Sequence, residues 1–176
     1  MTDFLKLAAG LSVYNGGAYN GYVIGRADWE LSGKIIRAVS KIRRERKNYV
    51  VMDVTGYGAK QEVTGRLAVT MVKPLGISRE ETEASEAGKE EAVFLFTQEQ
   101  VDRYLLTVRD TNPIHKGNTA VVPGLLLVDF LLQREVPVQK IRFVEPLPVG
   151  TAFIVETGTE GVRILSLNRK ICYAKA

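Results

Sequence analysis

The stretch that decides the reading is DTNPIHKGNTAVVPGLLLVDFLLQR, residues 110–134. Its second part, Leu125 to Leu132, is apolar on every side except at Asp129. A helix apolar all round has to be buried. The run therefore predicts a buried helix from Pro123, a suitable first-turn residue, to about Arg134. The first part cannot be helical, because Pro113 excludes the helical conformation at Asn112. A polar loop thus delivers His115, the only histidine of the chain, just ahead of a buried helix.

Working outward, Thr97 and Gln100 have capping-box spacing. Val101, Tyr104, Leu105 and Val108 follow at i, i+3, i+4 and i+7, which predicts an amphipathic helix of about three turns. After the buried helix, strands are expected around 138–145, 151–157, 162–167 and 169–174, with Pro146, Pro148 and Gly150 in one turn. Upstream, Asp3 to Leu11 reads as a short helix, broken by the Gly/Asn-rich run at 14–21. Residues 34–46 and 49–55 are rich in Ile and Val. From Val63, residues Val63, Gly65, Leu67, Val69 and Met71 alternate with Thr64, Arg66, Ala68 and Thr70, a half-buried strand. Gly56 and Gly58 are expected to form the turn before it. Turn-linked strands of this kind predict an antiparallel sheet.

The whole chain has 176 residues, 45% of them hydrophobic and 25% charged, with a net charge of +4. That is ordinary globular composition and excludes collagen-like or wholly disordered chains. Charge is uneven: residues 1–76 carry a net +6, residues 77–100 a net −5 and residues 101–176 a net +3. The expected organisation is a strand-rich half at 1–76, an acidic linker or loop at 77–92, and a second unit at 93–176. Arg26 to Gly33 and Arg142 to Gly150, each followed by strands, match with one gap, a faint internal repeat.

Cys172 is the single cysteine, so no internal disulfide forms and no Cys/His cluster offers a zinc site. Cys172 falls in a predicted strand with no nearby His, which argues against a nucleophile. The longest apolar stretch, Val121 to Leu132, contains Pro123, Gly124 and Asp129 and is too short to span a bilayer. Asp3 and the lack of a basic run near the start do not suggest a signal peptide, so a cytoplasmic setting is expected. The basic run Lys41 to Lys47 has no recognised nucleic-acid motif beside it, and no nucleic-acid partner is expected. Its cations suit phosphates or an acidic protein.

Chemistry concentrates around His115. Asp110 lies five residues before it, in a turn with Asn112, and Asp129 lies fourteen residues after it, inside the apolar helix. A carboxylate buried there is costly unless paired or protonated, and desolvation raises its pKa, which suits a general acid. Asp110 has an ordinary explanation as a helix-terminating turn residue. Both carboxylates are candidate partners of His115, with Asp129 favoured.

The motif Asp110-Thr-Asn-Pro-Ile-His115, preceded by a capped helix, resembles the hydratase signature of MaoC-like (R)-specific enoyl-CoA hydratases. The run from His115 to Pro123-Gly124-Leu-Leu-Leu-Val-Asp129 is similar to the bacterial β-hydroxyacyl-ACP dehydratases. The short His-to-helix segment has the dehydratase form, and Asp-x-Asn-Pro-x-His the MaoC form. The resemblance covers about residues 93–176. It implies an α+β hot-dog fold, a long central helix wrapped by antiparallel sheet, with residues 19–74 either as a degenerate second unit of a compressed double hot-dog or as an added sheet layer. It implies interconversion of 3-hydroxyacyl and trans-2-enoyl thioesters of CoA or acyl carrier protein, by a homodimer or larger assembly, with no metal or redox cofactor. The candidate site is His115, Asp129, Asp110, Asn112 and Gly124, whose backbone N–H would face the thioester oxygen. The alternatives are a hot-dog acyl thioesterase and a non-catalytic thioester-binding subunit.

Overall fold

The structure is a computed structural model that describes residues 1–73, 92–159, 161–166 and 169–175, the last segment as backbone only. The elements are α1 (Asp3–Ala9), β1 (Val23–Leu31), β2 (Arg37–Arg46), β3 (Tyr49–Tyr57), β4 (Val63–Val72), β5 (Val93–Phe94), α2 (Gln98–Val108), α3 (Gly124–Leu132), β6 (Lys140–Phe143), β7 (Phe153–Gly158), β8 (Gly161–Ser166) and β9 (Arg169–Lys175). A 3-10 turn at Gly10–Tyr14 continues α1. The expected acidic linker at 77–92 lies outside the described residues but for its last position. Among the described residues no helix is long and apolar enough to cross a membrane.

All strands join one antiparallel sheet in the order β2-β3-β4-β1-β6-β9-β8-β7-β5. The order of β6 to β9 repeats that of β1 to β4, running outward from the β1–β6 joint in opposite directions. At that joint Arg26 pairs with Arg142, Ala27 with Ile141 and Asp28 with Lys140. The first residues of the two repeated segments thus face each other across the joint. Strand β1, which joins the first half to the second, is not singled out by the sequence pattern. Its Gly25 sits where the register shifts between Ile24 and Arg26, which interrupts the alternation.

The helices form where local signals place them. In α2 the Thr97 side chain accepts from Gln100 N–H at 3.3 Å, and Gln100 accepts from Thr97 N–H at 2.8 Å. The buried set is Val101, Tyr104, Leu105 and Val108, the predicted stripe. Helix α3 is shorter than expected: Pro123 is its N-cap and it ends at Leu132. No residue from Val121 to Leu132 is exposed, as an all-apolar helix requires.

One apolar core runs through both halves, from Phe4, Leu7 and Met52 to Leu131, Ile141 and Phe153. Helix α1 packs on β2, β3 and β4 and also touches α2 and α3. Gly56 does not belong to the turn before β4. It lies within β3 opposite Gly65 of β4. A Cβ at Gly56 would come 2.9 Å from Leu7 and 2.8 Å from Ile35, and one at Gly65 would come 2.8 Å from Ile35. The glycine pair therefore opens the groove that seats α1.

Candidate active site

His115 owes its position to the chain on both sides of it. Helix α2 stops at Arg109, whose φ of 58° is left-handed, and Asp110 N–H closes the end on Leu105 O at 2.9 Å. Asp110 Oδ1 then accepts from Asn112 N–H at 2.8 Å. Pro113–His115 forms a 3-10 turn, and a turn at Gly117, φ 82°, sends the chain back. Val121 N–H donates to Ile114 O at 3.0 Å, and Val121 O lies 2.7 Å from His115 Nδ1. That carbonyl can only accept, so it sets the tautomer with the proton on Nδ1 and leaves Nε2 free to take one.

His115 Nε2 lies 3.6 Å from Asp110 Oδ2. His115 is 7% exposed, which is decisive for its charge. Burial pushes the imidazole below its usual value, and the Val121 carbonyl and Asp110 carboxylate draw it part of the way back. Asp110 serves two ends at once, one oxygen holding the turn and the other facing the histidine.

Asn112 accepts from Gly21 N–H at 3.0 Å and donates to Tyr22 O at 2.9 Å. It therefore clamps a loop of the first half onto the histidine loop. Asn15 adds a second clamp by donating to Arg109 O.

Gly124 opens α3. Leu126 and Leu127 N–H both return to Pro123 O, at 3.0 and 3.3 Å, so Gly124 and Leu125 N–H have no partner within the helix. A Cβ at Gly124 would lie 3.0 Å from the Phe143 ring, so the ring would have to give way to any side chain there.

These groups border one cavity of about 420 Å³. Tyr104, Asp110, Asn112, His115 and Gly124 line its polar part. Leu11, Met52 and Met71 of the first half line an apolar part, and Tyr14, Tyr19 and Tyr22 add aromatic rings. Tyr104 is buried, and desolvation together with the Asp110 and Asp129 charges pushes its phenol well above the usual value.

Asp129 stands apart from this group. The sequence favours it as the partner of His115, yet it does not line the cavity. Its Oδ1 accepts from Thr2 Oγ1 at 2.7 Å and its Oδ2 from Gln133 Nε2 at 2.5 Å. The helix turns its carboxylate toward the start of α1, where Thr2 also caps that helix by accepting from Leu5 N–H at 3.2 Å. The burial of Asp129 is thus offset by two donors. The structure brings His115, Asp110, Asn112 and Gly124 together at the cavity and leaves Asp129 out. The sequence marks Tyr104 only as a core position of α2 and residues 14–21 only as a helix breaker, yet both border the cavity.

No family model matches the chain, and no curated protein matches it in sequence. Solved structures do match in fold. HtdX from Mycobacterium tuberculosis superposes with a TM-score of 0.65 at 17% identity, over 98% of this chain and 84% of that one. The peroxisomal multifunctional enzyme type 2 from Drosophila melanogaster gives 0.65 at 14% identity, over 98% of this chain but 40% of that enzyme. An acyl-ACP thioesterase from Bacteroides thetaiotaomicron gives 0.54 at 9% identity, over 88% of this chain and 74% of that one. The fold is the α+β hot-dog fold.

Proposed function

We propose that this hot-dog chain hydrates trans-2-enoyl thioesters and dehydrates 3-hydroxyacyl thioesters. The observation that carries the reading is the pairing of His115 Nε2 with Asp110 Oδ2 at 3.6 Å, on the wall of a cavity that also reaches the start of α3. A buried, neutral imidazole with Nδ1 already engaged is a base at Nε2. In hydration, water is held between Asp110 and His115. Its oxygen bonds to Cβ while Nε2 takes its proton. The resulting enolate takes that proton back from Nε2 at Cα, so one water is added across the double bond. Dehydration runs the same steps in reverse, with Nε2 first removing the α-proton and then protonating the departing hydroxyl.

The thioester oxygen gains charge in the enolate and needs donors. Gly124 N–H suits that role, aided by the positive end of the α3 dipole. The Leu11, Met52 and Met71 wall suits the acyl chain, and Asn112 holds the two halves in register around it. Asp110 stabilises the imidazolium.

The test is loss of enoyl absorbance on adding the protein to a trans-2-enoyl-CoA, with no thiol released. His115→Ala and Asp110→Asn are expected to lower kcat/KM by roughly a hundredfold or more. Release of thiol from a saturated acyl thioester, with enoyl absorbance unchanged, would replace this reading with hydrolysis. Tight thioester binding with neither signal would make the chain a binding subunit.

A further inference from the structure

The cations of the β2–β3 hairpin differ in what they bond. Arg37 lies 5.0 Å from the Tyr57 ring centre and donates to Gln61 at 3.3 Å, and Arg43 pairs with Asp53 at 3.5 Å. Arg46 and Lys47 at the turn, and Lys73 just past β4, are exposed and have no carboxylate partner among the described residues. They meet because Lys73 N–H donates to Asn48 O at 2.8 Å, which ties the end of β4 to the turn.

This corner is fastened to the cavity. Tyr22 hydroxyl donates to Lys47 O at 3.2 Å, and Tyr19 hydroxyl donates to Glu45 at 2.8 Å. Both rings line the cavity, as do Val72, next to Lys73, and the exposed Asn20. Glu45, the carboxylate of the turn itself, is thus already engaged.

We propose that Arg46, Lys47 and Lys73 bind the phosphates of coenzyme A, with the pantetheine arm passing Tyr19 and Tyr22 into the cavity. This rests on the thioester reading above for the arm's destination. Three cations gathered at the turn and the end of β4, without a carboxylate partner among the described residues, match a compact polyanion, the diphosphate and 3′-phosphate of the nucleotide. An acidic carrier protein needs a broader charged face, and along β2 Arg37 and Arg43 are engaged within the chain while Arg44 lies over the Tyr49 ring at 5.9 Å, which leaves Lys41 as the exposed cation there without a carboxylate partner among the described residues.

Calorimetric titration of the whole protein with coenzyme A tests this without turnover. The variant Arg46→Ala/Lys47→Ala/Lys73→Ala, checked by circular dichroism for intact fold, is expected to bind about tenfold more weakly, a loss of about 1.4 kcal/mol. Equal affinity of variant and parent, or no binding by the parent, overturns the proposal. The second measurement is the kcat/KM for an enoyl-CoA divided by that for the N-acetylcysteamine thioester, which lacks phosphate. This ratio should fall about tenfold in the variant. An unchanged ratio, or a loss confined to the carrier-protein thioester, also overturns it. A parent protein that binds coenzyme A through these residues yet turns over no thioester upholds the phosphate site and removes the hydratase reading instead.

Discussion

His115 Nε2 and Asp110 Oδ2 stand 3.6 Å apart, while the opposite ring nitrogen is held 2.7 Å from Val121 O. The first distance is too long for a hydrogen bond and the second is a good one. The imidazole is therefore oriented by the backbone rather than by its carboxylate. The carboxylate and Nε2 remain available together to a third oxygen between them.

The charge of His115 gives the first prediction. Its folded-state pKa is lowered, chiefly by burial, and Asp110 raises it part of the way back. The acid limb of kcat/KM is expected below pH 6.5, the ordinary histidine value. Because His115 is the only histidine, its imidazole resonances titrate without overlap. Asp110→Asn should move that midpoint further to acid. The sign for stability follows. Between the folded and unfolded values the unfolded chain binds more protons, so this contribution is present above about pH 6.5 and is lost as pH falls toward the folded value. A midpoint above 6.5 in the folded protein contradicts the argument.

Asp129 should matter to the fold and little to the chemistry. Asp129→Asn is expected to keep kcat/KM within several-fold of the parent while lowering stability by about 1–3 kcal/mol, since hydrogen bonds to a buried carboxylate are weakened. Thr2→Ala should cost less, and the double variant should cost less than the two losses combined, because both remove one contact. A hundredfold loss of activity with unchanged melting would restore Asp129 to the active site.

At Gly124 the conflict is steric. The methyl of Gly124→Ala meets the Phe143 ring at 3.0 Å. The ring must shift, at a cost of about 1–3 kcal/mol for overpacking, and it moves along the cavity wall it helps to form. Reduced activity is expected, with partial recovery in Gly124→Ala/Phe143→Leu. If the single variant is fully active, the glycine is not needed there.

Asn112 links the two halves through Gly21 and Tyr22. Asn112→Ala leaves the Gly21 N–H unpaired, a part-buried donor whose loss costs about 1–3 kcal/mol. Faster amide exchange at Gly21 is expected, together with a raised KM, because the Tyr22 side of the cavity loosens. Unchanged exchange at Gly21 would show that Asn15 and the neighbouring contacts hold the loop unaided.

Much of the fold was legible in residue order because its signals are local. The capping box and four-residue stripe of α2, the buried α3, the alternation in β4 and the turns after α3 each depend on neighbours within a few positions. So does the loop that carries Asp110, Asn112 and His115. The faint match of Arg26 with Arg142 is visible in residue order, but only tertiary structure placed the two residues opposite each other at the joint of one sheet. The same limit applies to the two carboxylates. Spacing along the chain put Asp129 in a buried helix and left its direction open. That direction depends on the rotation of α3 in the core and on Thr2, 127 residues away in sequence, arriving beside it. Likewise Gly56 and Gly65 read as turn and strand residues until pairing set them face to face beneath Leu7. Local sequence determines which segments fold and how they are capped, because those energies act over a turn or a strand. Which side chains then share a cavity is decided by packing between segments distant in the chain.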